Sequence, residues 1–359
     1  MKKLLSILLI LCTLLSLASC KRISDEIKDT QNKGYKTRSK TVSSIYFNTV
    51  SSVISYGDKD DANIEKYSKI ADEVLGYYHK LFDIYYEYAG VNNIKTINDK
   101  AGKSPVVVDK EMIDFLEYCK ELYTLTGGKT NIMLGSVLEI WHLCREAAER
   151  DFGYLSPDYL PTDEELGAAA EHVSIDSLVI DREASTVYIS DPEASIDVGA
   201  IAKGYAVDKL AERLVGEGAD SVVLNIGGNI RTIGLKPGGE KWISGITNPN
   251  KDSDESLLCK VKIGPASIVT SGDYERFFIS GDTKYHHIID PKTLTPARYF
   301  SAISIITESS ALGDALSTAL FCMSYEEGLA LVNSIGGVEV IWVDLEYNVK
   351  STPGIEFAS

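Results

Sequence analysis

The sequence predicts an α+β fold, a single large body in which mixed β-sheets pack against helices. Strand-like and helix-like segments follow one another in mixed runs, without the strict alternation of a parallel α/β sheet. The chain has 359 residues, of which 44% are hydrophobic and 25% charged, so it can build a core of useful size. No internal repeat or low-complexity stretch interrupts it. These three observations favour one folded body.

The N-terminal segment is typical of an exported lipoprotein. Two lysines precede the apolar run Leu4–Ala18, which is too short to span a bilayer comfortably. The run leads into Leu-Ala-Ser-Cys, which resembles a bacterial lipobox and implies cleavage before Cys20 and lipidation of that cysteine. A plain secretory signal is the alternative. We therefore expect a signal peptide over 1–19 and a lipid anchor in the bacterial cell membrane, on its extracytoplasmic side.

Composition divides the rest of the chain. Residues 21–44 are polar and lack apolar periodicity, so we predict a flexible tether over 20–44 and a folded domain over 45–355. The net charge of −16 argues against a nucleic-acid partner, and a phosphate-bearing ligand would need local cations or a metal. The four cysteines of the body have no metal-binding spacing; we interpret them as mostly buried apolar residues, although disulfides stay open.

Each element of the N-terminal half follows from its pattern. Ile45–Tyr56 suggests a first strand. Ile64–Tyr88 has apolar residues at three- and four-residue steps, which predicts a long amphipathic helix with tyrosines in or near the core. A loop leads to the short strand Pro105–Val108. Helices are expected over Glu111–Thr126, which stops at a Gly-Gly pair, and over Leu134–Arg150.

The C-terminal half mixes strands with three helices. Ser174–Ile180 and Thr186–Ile189 flank a polar turn and predict a β-hairpin. A helix from Ala200 to Glu217 leads into the strand Ser221–Ile226. The remaining predicted strands are Trp242–Thr247, Leu257–Ile263, Ser267–Thr270, Phe277–Ile279, Tyr285–Ile289, Ala302–Ile306 and Val338–Val343, and the remaining helices are Ala311–Met323 and Tyr325–Ile335.

Two glycine-containing stretches could bring a ligand to the main chain. In DVGAIAKGYAVD, residues 197–208, small residues surround one lysine, so the run is either a tight helix start or a ligand contact. In LNIGGNI, an apolar strand enters Gly227 and Gly228, whose amides could meet phosphate oxygens. A Gly-Gly pair after a strand is also an ordinary turn, and neither a dinucleotide fingerprint nor a Walker loop is present there.

A polar cluster lies between strand-like segments over Thr270–Ala297. The turn Ser280–Thr283 would place Arg276 and His287 on neighbouring strands. A histidine can act as a general base near neutral pH. The alternative is that His286 and His287 lie on opposite faces of a strand, one bonded to a carbonyl and the other solvated.

Asp314 and Thr318 are four residues apart, so on a helix they share one face. A carboxylate and a hydroxyl in this arrangement could hold a hard cation such as Mg²⁺, which keeps water or substrate phosphate in its other positions. An aspartate near a helix start is also a common cap, and the spacing alone does not decide between the two interpretations.

Five motifs, in order and behind a lipobox, resemble the ApbE family: DVGAIAKGYAVDKL, NIGGNI, SGDYERFF, HIIDP and GDALSTA. The resemblance covers about residues 45–350 and implies the mixed-sheet, T-fold-like body of FAD:protein FMN transferases. Such enzymes bind FAD with Mg²⁺ and cleave its pyrophosphate. They attach FMN through a phosphodiester to a Thr or Ser hydroxyl of another protein and release AMP.

The resemblance also implies site residues. The metal ligands fall on the Ala200 carbonyl, the Asp314 carboxylate and the Thr318 hydroxyl, while Lys203 neutralises a diphosphate. Asp208 would support the helix or hold Lys203. The expected catalytic residues are His287, as base for the acceptor hydroxyl, and Asp290, which would orient the loop or the imidazole. FAD contacts are expected at Phe47, Thr130, Asn131, Asp197, Lys203, Gly227, Gly228, Asn229, Tyr274, Arg276 and Ile288.

The N-terminal half departs from the family pattern. Phe47-Asn48-Thr49 stands where the family often has Met-Gly-Thr, and an aromatic ring there could still pack on the flavin or adenine. Lys129-Thr130-Asn131 stands where an Ala-Phe-Asp-like triplet is usual, so Asn131 keeps hydrogen-bonding capacity but loses charge.

Three functions stay open at this point. The first is the transferase, acting on exported flavoproteins such as electron-transfer proteins or subunits of redox-driven ion pumps. The second is an FAD pyrophosphatase that uses water as acceptor and gives FMN and AMP; no residue separates it from the first. The third is a non-catalytic flavin-binding lipoprotein, which would not need Asp314, Thr318 and His287 together. Mg²⁺ and Mn²⁺ are not distinguished, since both accept oxygen ligands.

Overall fold

A computed structural model of the chain describes residues 36–42, 45–57 and 62–358. The predicted signal peptide, Cys20 and the first part of the predicted tether lie outside the described residues. Across the described ranges, no helix is both long enough and apolar enough to cross a membrane.

The described residues form fifteen strands and eight α-helices. The strands are β1 (Lys36–Thr41), β2 (Ser51–Gly57), β3 (Val106–Val107), β4 (Leu178–Asp181), β5 (Thr186–Ile189), β6 (Ser221–Ile226), β7 (Asn229–Gly234), β8 (Trp242–Thr247), β9 (Leu257–Ile263), β10 (Ser267–Gly272), β11 (Phe277–Ser280), β12 (Thr283–His286), β13 (Phe300–Thr307), β14 (Glu339–Asp344) and β15 (Val349–Ser351). The helices are α1 (Ala62–Leu81), α2 (Ile94–Asp99), α3 (Lys110–Leu125), α4 (Gly135–Arg150), α5 (Asp163–Ala170), α6 (Ala202–Gly216), α7 (Ser310–Phe321) and α8 (Tyr325–Ile335).

An eight-stranded sheet forms the centre of the molecule, in the order β1-β2-β6-β7-β10-β13-β14-β15. Every neighbouring pair is antiparallel. Three smaller sheets accompany it: β3-β5-β4, β8-β9 and β11-β12. This architecture confirms the predicted α+β class with mixed sheets and packed helices in one body.

The large sheet is buried on both faces. Side chains alternate along β2, so that Val53 joins the core under the helices, whereas Ile54 and Tyr56 face the opposite side. There Tyr56 meets Trp242 of the β8-β9 hairpin edge to face, with ring centroids 4.8 Å apart. Helices α1, α6, α7 and α8 cover one face and the β8-β9 hairpin covers the other.

Helices α6 and α7 approach each other closely at Gly204. A Cβ atom built on Gly204 would lie 2.3 Å from the carbonyl oxygen of Ser310. The absence of a side chain therefore sets the separation of the two helices, and these helices carry most of the predicted metal ligands.

The folded body begins earlier than predicted. Lys36–Thr41, which we assigned to the tether, pairs with β2 along its whole length as an edge strand. Its sequence, KTRSKT, has no apolar face that could signal a strand. Main-chain hydrogen bonds to β2 define it, and polar, charged side chains are typical of sheet edges.

The first long helix ends at Leu81 and not at Tyr88. The Asp83 carboxylate accepts hydrogen bonds from the amides of Tyr85 and Tyr86 and from the Tyr88 hydroxyl, which holds the chain in a turn. The following helix α2, capped by Asn93, lies in a segment that we interpreted as a loop.

Most other predicted elements agree with the structure within a few residues, but the strand predicted from Ile45 begins at Ser51, and strands β7 and β15 were not predicted. The alanine-rich helix α5 was not predicted either, although Thr162 and Glu165 form a capping box at its start. All four cysteines of the described body are free thiols; Cys119, Cys144 and Cys322 are buried and Cys259 is half-buried. This confirms their interpretation as mostly buried apolar residues.

Candidate active site

The turn between β6 and β7 is a place of close backbone approach. Gly227 and Gly228 both have positive φ, 56° and 90°, and both are exposed. A Cβ on Gly227 would lie 2.2 Å from the Thr49 hydroxyl oxygen, and the Gly227 amide donates to the Val50 carbonyl. Thr49 and Val50 therefore lie against the Gly-Gly turn, and the predicted packing of Phe47 on the flavin or adenine stays a prediction.

A hydrogen-bonded network joins this turn to the start of α6 and to α7. The Lys203 ammonium donates to the Asn229 side-chain oxygen at 2.6 Å. The Asn229 amide group donates in turn to Oδ1 of Asp314 at 2.9 Å, and the Gly204 amide donates to Oδ2 at 2.6 Å. One carboxylate is thus fixed between three elements that are far apart in the sequence.

Burial shifts the pKa values of both charged groups of this network in the direction of their neutral forms. Burial raises the pKa of the Asp314 carboxyl, although the nearby Lys203 opposes the rise. Burial also lowers the pKa of the Lys203 ammonium, and Asp314 opposes that fall. Lys203 acts on Asp314 electrostatically while it donates to Asn229, so the carboxylate itself accepts hydrogen bonds from two amide groups.

The contacts between α6 and α7 fix the register of the two helices around Asp314. Asp208 on α6 contacts the first residues of α7, and Gly204, one turn earlier on α6, contacts Asp314, one turn later on α7. The two helices are therefore antiparallel at this point. Thr318 follows Asp314 by one turn on α7, whereas Ala200 lies in the turn before α6, and its predicted role as a metal ligand stays a prediction.

Asp208 has a structural role. Its carboxylate accepts from the Ser309 hydroxyl at 2.7 Å and from the amides of Ser310 and Ala311 at 2.8 and 2.9 Å. It therefore satisfies free amides at the N-terminus of α7, which confirms the helix-supporting alternative for this residue.

The predicted hairpin around Ser280–Thr283 is confirmed, and it places the polar cluster as expected. Phe277 pairs with His286, so Arg276 and His287 are the next pair, and the His287 amide donates to the Arg276 carbonyl at 3.0 Å. The His287 side chain lines a cleft between this hairpin and α4. Its Nδ1 atom is buried and has no hydrogen-bond partner among the described residues.

The two histidines have different surroundings: His286 bonds to a carbonyl, as one of the sequence alternatives proposed, but His287 is not solvated as that alternative expected. His286 is buried; its Nε2 bonds to the Ala297 carbonyl at 2.7 Å, and its Nδ1 accepts from the Ile288 amide. Burial lowers the pKa of His286 to about 4 and that of His287 to about 3, so both rings are neutral at pH 7. His287, which faces the cleft, is the ring available for proton transfer.

The buried His286 predicts an acid-sensitive stability. Its pKa in the folded state is about 4, below the value of about 6.5 expected in the unfolded chain. The stabilisation from keeping the ring neutral is therefore complete above pH 6.5 and decreases as the pH falls towards 4, by about 3 kcal/mol in total. Urea unfolding of the wild type and of His286→Gln between pH 7 and 4.5 measures the free energy of unfolding at each pH. It should decrease less steeply with falling pH in the variant; parallel decreases in the two proteins would rule this explanation out.

Comparison with known proteins identifies the family. A sequence profile of the ApbE family matches residues 47–342, most of the chain. The chain belongs to the ApbE family. Relatives named FAD:protein FMN transferase include one from Treponema pallidum, 32% identical over 73% of each chain, and one from Haemophilus influenzae, 27% identical over 98% of this chain and 97% of the relative. The resemblance inferred from the five motifs is confirmed.

Solved ApbE structures share the fold. The ApbE protein of Thermotoga maritima superposes with a TM-score of 0.74 at 26% identity, covering 88% of this chain and 97% of that one. The flavin transferase ApbE from Vibrio cholerae gives a TM-score of 0.71 at 25% identity with the same coverage. The predicted ApbE-like architecture is therefore confirmed over the described body.

The contacts of Asp290 fit one of its two predicted roles, the ordering of its loop, and not the other. Its carboxylate is buried and pairs with the Lys129 ammonium at 2.9 Å, and it accepts from the Lys292 amide at 2.9 Å. No hydrogen bond joins it to His287 in the described part of the chain. Asp290 therefore orders its own loop, and the prediction that it orients the imidazole has no support in this ApbE chain.

Two of the predicted flavin contacts in the N-terminal half are occupied by the protein itself. The Thr130 hydroxyl is buried and donates to the Ala315 carbonyl on α7 at 2.7 Å. The Asn131 side chain donates to the Val173 carbonyl and accepts from the Met133 amide. Both side chains hold the loop before α4 against the rest of the body, and their predicted contact with the flavin stays a prediction.

The other predicted flavin contacts each have neighbours within the protein, and their contact with the flavin stays a prediction. Asp197 accepts from the Gly199 amide at 2.8 Å and lies 3.9 Å from the His142 ring nitrogen. Phe47 packs edge-on against His79, and the Tyr274 ring fills the space where Gly272 has no side chain. Ile288 is buried, and its amide is bonded to His286.

Sequence reasoning missed His142 and Arg145 on α4. Both line the cleft together with His287 and Arg276. They are three residues apart and so share a helix face, but a polar pair at this spacing is also usual on a solvated face. The sequence contains both residues at this spacing, but it does not show that they lie beside Arg276 and His287.

Proposed function

We propose that this chain is a Mg²⁺-dependent FAD:protein FMN transferase. It cleaves the pyrophosphate of FAD, attaches FMN by a phosphodiester to a Thr or Ser hydroxyl of an exported acceptor protein, and releases AMP. The observation that supports this most strongly is the Lys203–Asn229–Asp314 network beside the exposed Gly227-Gly228 turn. The names of the relatives support the same activity.

The site fits a divalent metal. No group of three or more His, Cys, Asp or Glu side chains in the described ranges could hold one, so the candidate set is of another kind. Asp314 would supply a carboxylate whose pKa is raised by burial, Thr318 a hydroxyl one turn away, and Ala200 a carbonyl in the turn before α6. Such hard oxygen donors suit Mg²⁺, which would neutralise pyrophosphate charge in the transition state.

The protein residues position the substrate for one displacement. The acceptor oxygen attacks the phosphorus on the riboflavin side of FAD, the bond from this phosphorus to the bridging oxygen breaks, and AMP leaves with the electron pair. Lys203 contributes positive charge beside the diphosphate, and the Gly227 and Gly228 turn lets it approach the main chain. Phosphoryl transfer depends mainly on such positioning and charge neutralisation.

His287 takes the acceptor proton. Its ring is neutral because burial lowers its pKa to about 3, and Nδ1 has no partner in the described part of the protein. A neutral imidazole with a free nitrogen can accept the hydroxyl proton as the new P–O bond forms. The Arg276 carbonyl fixes the backbone of this residue through its amide.

The proposed location follows from the sequence. The lipobox-like stretch at 17–20 would lead to cleavage before Cys20 and to acylation of that cysteine. The catalytic body would then be anchored to the extracytoplasmic face of the cell membrane through residues 20–35. Its partners there are FAD and exported acceptor flavoproteins.

The acceptor assay tests the activity. The protein is mixed with FAD, Mg²⁺ and an acceptor domain that carries a Ser/Thr flavinylation sequence, and the acceptor is weighed by mass spectrometry. A gain of one FMN together with one AMP released is the expected result. Free FMN and AMP with an unmodified acceptor would indicate the pyrophosphatase, and intact bound FAD would indicate a carrier.

His287→Ala should separate catalysis from binding. We expect transfer to slow by roughly 100-fold or more, because the positioned base is lost, while the affinity for FAD changes little. Transfer rates at saturating FAD and flavin fluorescence titrations measure the two effects. A large loss of affinity with normal turnover would instead assign His287 to FAD binding.

A further inference from the structure

A second cavity, of about 310 Å³, lies at the β15 edge of the large sheet and shares no lining residue with the proposed reaction site. It is bounded by the first turn of α8, by β14 and β15, and by the residues that enter β13. Four of the side chains around it are aromatic, those of Tyr299, Phe300, Tyr325 and Trp342. None of them has a role in the proposed transfer of FMN, so the cavity needs a separate explanation.

The aromatic walls combine buried and accessible rings. Trp342 and Phe300 are buried and belong to the core cluster beneath α8. Tyr325 is half-buried and meets Trp342 edge to face, with ring centroids 5.1 Å apart, whereas Tyr299 is exposed. The two tyrosine rings are therefore the walls that a ligand can reach, and Trp342 holds the Tyr325 ring in place.

An ammonium group already lies on one of these rings. The Lys350 Nζ atom is 4.0 Å from the centroid of the Tyr325 ring, well within the range of a cation–π contact. Lys350 is exposed on the edge strand β15, and it makes no ion pair in the described part of the protein. Because its side chain is long and flexible, it can move into solvent when another cation takes its place.

The other charged groups around the cavity favour a cation over an anion. Glu326, in the first turn of α8, is exposed and has no ion-pair partner among the described residues. Asp344 also lines the cavity, but its carboxylate accepts the amides of Glu346 and Asn348 in its own turn. An aromatic ring face and a nearby carboxylate both attract positive charge, and both repel an anion.

We propose that this cavity is a binding site for a small organic ammonium ion, of the quaternary alkylammonium class. The faces of the Tyr325 and Tyr299 rings contact its methyl groups and its charge, and Glu326 balances that charge. In the free protein Lys350 occupies the position of the cation and competes with the ligand. The site is separate from the proposed transfer of FMN and does not depend on that activity.

Choline tests the proposal against its uncharged isostere, the alcohol in which a tert-butyl group replaces the trimethylammonium group. The reporter is the indole N–H signal of Trp342 in NMR spectra of the isotope-labelled protein, assigned by its loss in Trp342→Phe. This N–H is buried and has no hydrogen-bond partner in the described part of the chain, so no such bond dominates its chemical shift. Choline should shift this signal and bind at least about fivefold more tightly than the alcohol.

Two variants test the residues that carry the proposal. Lys350→Met removes the competing ammonium while it keeps a long side chain, so choline should bind at least about threefold more tightly than to the wild type. Glu326→Gln, at an exposed residue outside the core, should weaken the binding of choline by about threefold. Lys236→Met is the matched control, because Lys236 also lies over an aromatic ring, 5.8 Å from the centroid of Trp242, but outside the cavity. It should leave the affinity for choline unchanged.

Three results would overturn the proposal. The first is equal binding of choline and the uncharged alcohol, which would show that the charge is not recognised. The second is a Trp342 signal that neither compound shifts at millimolar concentrations. The third is an unchanged affinity for choline in both Lys350→Met and Glu326→Gln, because choline would then be bound by another surface.

Discussion

Asp314→Asn is expected to abolish most of the Mg²⁺-dependent turnover of FAD, with a loss of roughly 100- to 1,000-fold. The substitution keeps the size of the side chain but removes the negative charge that would bind the metal. The Gly204 amide and the Asn229 side chain each donate to one carboxylate oxygen of Asp314. The substitution replaces one of these two acceptor oxygens by an NH₂ group, which is a donor. AMP release at saturating FAD across a Mg²⁺ titration measures the effect.

The matched control is Asp344→Asn. Asp344 also accepts backbone amides, from Glu346 and Asn348, but in the turn between β14 and β15 and outside the network around Lys203. Its replacement should leave turnover unchanged. Thermal unfolding of both variants separates loss of the site from loss of the fold. Undiminished turnover in Asp314→Asn would refute the assignment of this carboxylate to the metal.

Gly204→Ala is expected to have the largest effect on stability, a loss of about 3 kcal/mol or more. The added methyl carbon would lie 2.3 Å from the Ser310 carbonyl oxygen and 2.8 Å from the Ala311 Cα, both of them backbone atoms that cannot turn aside. Helices α6 and α7 would have to move apart. Urea unfolding at pH 7 measures the loss.

The same helix provides a control for this substitution. Gly216, the last residue of α6, has open space around the position of a Cβ atom. Gly216→Ala should therefore be neutral or stabilise by up to about 1 kcal/mol, because alanine is the better helix former. Equal stability of the two variants would show that the helices can separate without cost and would contradict the close packing.

Stability and activity should fall together in Gly204→Ala. The Gly204 amide donates to Asp314, so separation of the helices also displaces the carboxylate from its position. Residual turnover in the folded fraction should therefore be lower than in the wild type. Wild-type turnover per folded molecule would mean that Asp314 does not need this contact.

Periodicity predicted the elements that bury an apolar face, and it failed where other interactions define the structure. The edge strand β1 is polar and exists through its pairing with β2, which no pattern in KTRSKT reveals. The premature end of α1 depends on one carboxylate, Asp83, that binds several groups beyond the helix. In the first case a partner elsewhere in the chain defines the strand, and in the second a local turn ends the helix although the apolar spacing continues.

The residues around Asp314 could be singled out because they lie in the order and spacing of the family motifs, and their role as metal ligands stays a prediction. Residue spacing could not predict the hydrogen bonds by which Asn229 connects Lys203 to Asp314. It also could not predict that Gly204 lies close to α7 and donates to Asp314. The assignments of Asp290, Thr130 and Asn131 were harder because each depends on a distant partner. Lys129 forms an ion pair with Asp290, and the Ala315 carbonyl on α7 accepts a hydrogen bond from the Thr130 hydroxyl.

The most direct test is a crystal of the protein grown with FAD and Mn²⁺, in which anomalous scattering locates the metal. We expect one ion bound to the Asp314 carboxylate, the Thr318 hydroxyl and the Ala200 carbonyl, at about 2.1–2.2 Å. Pyrophosphate oxygens of FAD should fill its remaining positions. Bound FAD with this position empty, or with the ion held by other residues, would contradict it.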